Sequence, residues 1–171
     1  MSNEKSSLDA LENLGAGTIS AGEIRAMLDS TQMLKDFEWS QIEALSGYIQ
    51  VYRAAPGAVL FSEGDQGNFM CIVLKGLLEI RKQDVQHEEK TVADVHAGRS
   101  LGEMAMVDSE ARSATALVKQ EALLAVLTQK NFMQIMHDKP ALAAKLLLKI
   151  AQLISQRLRR TSGILVDYLE K

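Results

Sequence analysis

Cysteine is almost missing: Cys71 stands alone among 171 residues, which excludes an internal disulfide framework and any multi-cysteine zinc site. Histidine is nearly as sparse. His87, His96 and His137 share no metal-ligand spacing and form no Ser–His–Asp arrangement, so the chain reads as a non-enzyme without a cofactor. No apolar run approaches the roughly 18–20 residues that a bilayer span requires. The opening Met1-Ser2-Asn3-Glu4-Lys5 lacks the basic-then-apolar order of a secretory signal. A reduced, cytoplasmic, soluble protein with no membrane partner is expected.

Positive charge is not in excess either. Nineteen Lys and Arg face 22 Asp and Glu, for a net charge of −3, so broad non-specific nucleic-acid binding through a basic face is disfavoured. A local positive pocket is compatible with this balance. Hydrophobic residues make up 47% and charged residues 24%, the composition of a globular chain that buries a core rather than a disordered one. The length fits one domain comfortably.

Residues 1 to about 19 are polar, with Ser6, Ser7, Gly15 and Gly17, and read as a frayed leader with a weak helix over Leu8–Leu14. Ser20 and Glu23 then form a capping-box pattern ahead of Ile24, Met27 and Leu28. A second helix is expected from about Phe37 to Tyr48, where Trp39, Ile42, Leu45 and Ile49 recur at helical spacing. The period next changes to short apolar or alternating runs at Val51–Arg53, Val59–Phe61, Phe69–Leu74, Leu77–Arg81, Thr91–Val95, Ser113–Val118 and Leu123–Leu127. Turn signals separate them, among them Pro56-Gly57, Gly64-Asp65, Lys75-Gly76 and Ala97-Gly98. Closely spaced strands with no helix between them indicate an antiparallel sandwich or barrel such as a jelly roll.

Beyond Thr128 the helical period returns, first over Asn131–Met136. Pro140 suits the first turn of a long helix. Leu147, Ala151, Ile154, Leu158, Thr161, Leu165 and Tyr168 alternate spacings of four and three, a heptad seam expected to join two copies of the chain. Ala143, Leu146, Ile150 and Leu153 form a second stripe, suited to packing on the sheet. The alternative is a core helix of a monomer. Gly163 is the one residue that interrupts this helix and marks a candidate hinge.

One segment carries chemistry. Ser100-Leu101-Gly102-Glu103-Met104-Ala105-Met106-Val107 reads as a glycine-led entry to a short helical turn, and Asp108–Ala111 as a polar loop. Arg112-Ser113 then enters a strand. Free N–H groups at the start of such a turn attract an anion; Arg112 adds a bidentate fork and Ser113 a hydroxyl. Glu103 would repel a phosphate but accept a bond from a sugar hydroxyl, and phosphate plus ribose implies a nucleotide. On spacing alone, a ligand-free buried Glu–Arg ion pair accounts equally for both residues.

The run Gly102-Glu103-Met104-Ala105-Met106…Arg112-Ser113-Ala114 closely resembles the phosphate-binding cassette of cyclic-nucleotide-binding domains. Pro56-Gly57…Leu60-Phe61…Glu63-Gly64-Asp65…Gly67…Met70…Ile72–Gly76 is similar to that family's strand–turn–strand signature. The resemblance covers about residues 32–170. It implies a mainly β fold: an antiparallel jelly roll (double-stranded β-helix) with short N-terminal helices and a long C-terminal dimerisation helix over about 140–169. The binding domain would span 31–171, after a leader over 1–30.

By the same resemblance Glu103 accepts the ribose 2′-hydroxyl, Arg112 binds the cyclic phosphate and Ser113 adds a bond to it. The backbone of Gly102, Met104 and Ala105 cradles the ligand, and Ile80 and Val92 wall the base. Arg157…Thr161-Ser162 resembles the dimer-helix segment of bacterial catabolite activator proteins, in which Thr and Ser reach the base from two subunits. That likeness places Arg157, Thr161 and Ser162 on the base side and favours cyclic AMP over cyclic GMP. Leu101, Ala111 and Cys71 depart from the residues common in the family without removing a ligand group.

The expected function is therefore a dimeric cyclic-nucleotide sensor, acting in signal transduction on a separate protein effector. The helix-turn-helix that follows the dimer helix in activator relatives is absent, so no DNA binding is expected. The alternatives are a same-fold sensor of another ligand such as cyclic di-GMP, a ligand-free protein-interaction module and, least supported without paired histidines, a cupin-type enzyme.

Overall fold

Strand β4, Phe69–Gln83, organises the chain. Its first half is apolar at every position because both of its faces are covered. Phe69, Cys71 and Val73 point into one hydrophobic cluster, whereas Met70, Ile72 and Leu74 belong to another. That is the two-residue side-chain period read on a strand with no solvent face. From Leu78 onward burial falls off along the strand: Leu78 and Glu79 are buried, Ile80 and Arg81 half-buried, and Lys82 and Gln83 exposed.

The computed structural model describes residues 7–15 and 19–169. In chain order it comprises a 3-10 turn at Ser7–Ala10, β1 (Glu12–Asn13), α1 (Ala21–Asp29), α2 (Trp39–Ser46), β2 (Gln50–Ala54) and β3 (Val59–Phe61). After β4 come β5 (Glu89–His96), β6 (Ser100–Leu101), α3 (Met104–Asp108), β7 (Thr115–Thr128), α4 (Gln129–Asp138) and α5 (Pro140–Leu169). The strands run antiparallel in the order β1-β2-β7-β4-β5, with β3 paired to β7 and β6 to β4. This is the expected mainly β jelly roll with flanking helices.

The two clusters divide the molecule. One fills the interior of the sheet body with Leu60, Phe61, Leu78, Val118, Leu124 and Val126, among others. The other seats the helices on the opposite face of β2, β4 and β7 through Leu28, Ile42, Leu45, Phe132, Ile135 and the α5 stripe Leu142, Ala143, Leu146, Ile150 and Leu153. The second stripe read from the sequence is thus the packing face of α5. Past Ile154 every described α5 residue is exposed, Leu158, Leu165 and Tyr168 included.

Several local expectations hold in detail. Ser20 Oγ accepts from Glu23 N at 3.2 Å while Ser20 N donates to Glu23 Oε2 at 3.0 Å, closing the capping box of α1. Pro140 is the first residue of α5, and Lys139 before it leaves the helical region (φ −141°, ψ 66°), as a residue preceding proline must. Gly163 interrupts nothing; α5 is continuous through it.

Others need correction. Leu8–Leu14 is not a helix, and residues 7–15 are not frayed. Leu8 and Leu14 are buried in the two clusters, and β1 pairs with Tyr52 and Arg53 at the sheet edge. The leader reading of residues 1–6 and 16–18 lies outside the described residues. Lys75-Gly76 is no turn. The strand continues through it with shifts of register against β7, and Gly76 adopts φ +92° where an added Cβ would collide with the Glu121 carbonyl and Ala122 Cα. Likewise Ser113–Val118 and Leu123–Leu127 belong largely to the one strand β7, whose middle residues Lys119, Gln120 and Glu121 are solvent-facing.

Gly76→Ala is expected to lower stability by about 1–3 kcal/mol from backbone strain alone, with the steric overlap adding to it. Urea unfolding should show a lower midpoint at unchanged slope; an unchanged midpoint would contradict the close approach.

Candidate ligand-binding site

The cassette is built by an abrupt entry. β6 is held on β4 by pairing with Cys71 and Ile72, and the chain then turns through Gly102 at φ +78°. A side chain is excluded there twice over: the backbone is left-handed, and a Cβ would lie 2.7 Å from Arg112 Nη1. Glu103 follows as the residue preceding α3, which ends at Ser109 with φ +57°. Buried Ala105 and Met106 anchor this short helix. Its first N–H groups, at Glu103 to Ala105, have no partner inside the helix by construction. The loop after it is pinned to the β3–β4 turn, with Arg112 N donating to Asp65 O at 2.7 Å and Gly64 N to Arg112 O at 2.8 Å.

A cleft of about 750 Å³ opens between the cassette, β4–β5 and α5. Gly102, Glu103, Met104, Ala105, Arg112 and Ser113 line it from the cassette side. Ile80 and Val92 line it from the sheet, and Arg157 and Thr161 from the helix. Ser162 does not line this cleft; its hydroxyl donates to the Leu158 carbonyl at 2.9 Å. One residue beyond Thr161, the helix has turned by about 100°. Sequence reading missed Phe61, Asp94, Arg99, Ser100, Arg160 and Ile164, all of which line the cleft. For Arg160 and Ile164 the signal existed, because they lie three and seven residues from Arg157 and so share its helix face.

The ionic arrangement differs from a Glu–Arg pair within the cassette. Glu103, 1% exposed, accepts from Arg157 Nη1 on α5, and Arg157 Nη2 donates to the Ser100 carbonyl. Arg112, 4% exposed, donates to the backbone instead: Nη1 to Gly102 O at 3.1 Å and Nη2 to Phe69 O at 2.7 Å. Burial holds the Arg112 guanidinium below the usual arginine pKa. Burial also pushes the enclosed Cys71 thiol well above its ordinary value, which leaves it protonated and unreactive. Lys82 Nζ donates to the Ser113 carbonyl at 2.7 Å and so fixes the cassette exit to β4.

Among the described residues three buried side-chain polar atoms have no hydrogen-bond partner: Ser100 Oγ, Glu103 Oε2 and Arg112 Nε. All three residues line the cleft. A buried polar group left unmatched costs roughly 1–3 kcal/mol, so the site is unsatisfied in both polarities: an acceptor at Glu103 and a donor at Arg112. No cluster of three or more His, Cys, Asp or Glu suited to a metal ion occurs among the described residues, and none of their helices is long and apolar enough to cross a membrane.

A jelly roll with a glycine-led cassette, a buried glutamate and a buried arginine facing one cleft defines a class of nucleotide-binding regulatory domain. The chain belongs to the cyclic nucleotide-binding domain family, whose sequence model matches residues 51–139. It is 26% identical over 119 residues to the cyclic AMP receptor protein of Thermus thermophilus, covering 70% of this chain and 53% of that protein. The chain thus spans about half the length of that relative. It is 24% identical over 115 residues to the cAMP-dependent protein kinase regulatory subunit of Blastocladiella emersonii, covering 67% of this chain and 28% of the relative. The crystal structure of a cyclic nucleotide-binding domain from Methylobacillus flagellatus KT superposes with a TM-score of 0.81 at 27% identity, covering 92% of this chain and 89% of that one.

Arg157→Leu would leave Glu103 buried and unpaired. A fully buried pair loses roughly 3–5 kcal/mol when broken; with Arg157 half in water, about 1–2 kcal/mol is expected. Chemical denaturation checks this, and an unshifted midpoint would show that the pair does not anchor α5.

Proposed function

We propose that this chain is a regulatory sensor of a cyclic nucleotide, cyclic AMP in preference to cyclic GMP, that works as a homodimer joined through α5 and acts on a separate effector protein. The observation that carries the reading is the convergence of the unmatched Glu103 acceptor and Arg112 donor on one cleft. A cyclic nucleotide supplies complementary groups: a ribose hydroxyl that donates and a cyclic phosphate that accepts. Arg112, Ser113 and the leading N–H groups of the cassette would take the phosphate, and Glu103 Oε2 the 2′-hydroxyl. Ile80 and Val92 would flank the base, with Thr161 and Arg157 on its helix side. The preference for cyclic AMP rests on Thr161 facing the cleft and on the ligand in the names of two relatives.

The dimer reading rests on what α5 leaves uncovered. Leu158, Leu165 and Leu169 lie on one arc of the helix, exposed in a single chain, and an apolar seam of this spacing packs against its own copy. Ser162 shares that arc by helical geometry, so a second copy would bring it toward the partner's cleft rather than its own. Coupling follows from a shared carboxylate. Glu103 Oε1 holds Arg157 of α5 while Oε2 would hold the ribose, so ligand binding acts on the group that docks the helix and shifts its equilibrium by differential affinity.

Calorimetric titration with cyclic AMP, cyclic GMP and cyclic di-GMP tests the ligand. Cyclic AMP should bind tightest, and Arg112→Ala should weaken it at least about a hundredfold, since charged hydrogen bonds contribute roughly 1.5–3 kcal/mol each. Heat with cyclic di-GMP alone would transfer the site to a dinucleotide; no heat with any of the three would sink the sensor reading.

For the dimer, Leu165→Lys places a charge on the exposed arc of α5 and should sediment as a monomer. A mass equal to that of the unaltered protein would remove the helix seam.

A further inference from the structure

The two buried charges of the site are accommodated by different means. Glu103 has a cation, Arg157. Arg112 has no anion: among the described residues no carboxylate forms a salt bridge with it, and Asp65 and Glu103 act on it only through space. Its guanidinium carbon instead lies 4.1 Å from the Phe61 ring centroid and 4.6 Å from that of Phe69. The two rings are 6.2 Å apart at 67° to one another, so the cation sits in the angle of an edge-to-face pair. Both rings are almost wholly enclosed. Their negative faces attract a cation without neutralising it.

We infer that Phe61 and Phe69 are positioning residues for the anion-binding guanidinium, forming an aromatic notch that offsets the burial of Arg112 and fixes its plane while leaving its charge uncompensated. The inference rests on the nucleotide reading for the identity of the anion but not for the geometry. A carboxylate in the same place would hold the arginine equally well and would cancel the field that draws a phosphate. The notch avoids that cancellation. The carbonyls of Gly102 and Phe69 pin one N–H on each terminal nitrogen, the rings limit rotation out of plane, and the remaining N–H donors, Nε–H among them, are left for an incoming anion. Phe61 is also the ring that borders the cleft, so it is the accessible half of the notch.

The test uses the full chain and reads the arginine directly. With ¹⁵N-arginine labelling, the Arg112 Nε–H resonance is assigned by its disappearance in Arg112→Lys. In the ligand-free protein it should be protected from solvent exchange. Protection should persist in Phe61→Tyr and be lost in Phe61→Leu and in the volume-conserving Phe61→Met, each checked for an unchanged fold by thermal melting. The same two ring-removing variants should weaken cyclic AMP binding about thirtyfold, the size of a desolvated cation–π contact, and Phe61→Tyr should retain it. An Arg112 resonance that is equally protected without the ring overturns the inference, as does unaltered cyclic AMP affinity in folded Phe61→Met. If the resonance behaves as stated and neither the unaltered protein nor any variant binds cyclic AMP, the notch stands and the nucleotide reading falls.

Discussion

A carboxylate enclosed as fully as that of Glu103 must be ionically matched, and its match comes from α5. The site and the long helix are therefore not independent parts. Arg157 reaches the cassette over 54 positions of sequence and in the same guanidinium grips the carbonyl of Ser100, so it holds β6, the cassette and the helix together. The proximal half of α5 is seated by its apolar stripe on the sheet. The distal half meets the body at the cleft, where Arg157, Arg160, Thr161 and Ile164 look inward. Moving the distal helix without rearranging Glu103 would strand a buried charge, and displacing Glu103 would release the helix.

A net charge of −3 is compatible with the anion site proposed for this cleft. The field at the cleft is set by a few buried groups and their distances, not by the sum over the surface. Glu103 is offset by Arg157; Arg112 is stabilised by carbonyls and ring faces that leave its charge in place. The pair thus presents one acceptor and one donor side by side without having neutralised each other, as a Glu103–Arg112 salt bridge would.

Much of the architecture was legible in the residues. The change from helical to two-residue period, the capping box at Ser20, the start of α5 at Pro140 and its packing stripe all follow from local pattern. What escaped did so for physical reasons. Lys75-Gly76 looks like a turn because glycine marks any place where φ is positive, and a bulge needs that as much as a turn does. The strand β7 was split in two because Lys119, Gln120 and Glu121 face solvent, although the backbone pairs on through them. Leu8, Leu11 and Leu14 recur every three residues and so read as a weak helix, whereas Leu8 and Leu14 are buried in different clusters. At the site, the cassette was visible through family likeness, and every residue so nominated lines the cleft except Ser162. The pairing of Glu103 with Arg157 rather than Arg112, and the seating of Arg112 on Phe61 and Phe69, depend on contacts between segments far apart in sequence.

The distal half of α5 has one further consequence. Past Ile154 its described side chains are all exposed in the single chain, yet it continues a helix already nucleated on the sheet by the proximal stripe, so only propagation, close to balance in water, extends it. Its far turns are therefore held by propagation and by the ion pair at Arg157, and order along it falls off toward Leu169.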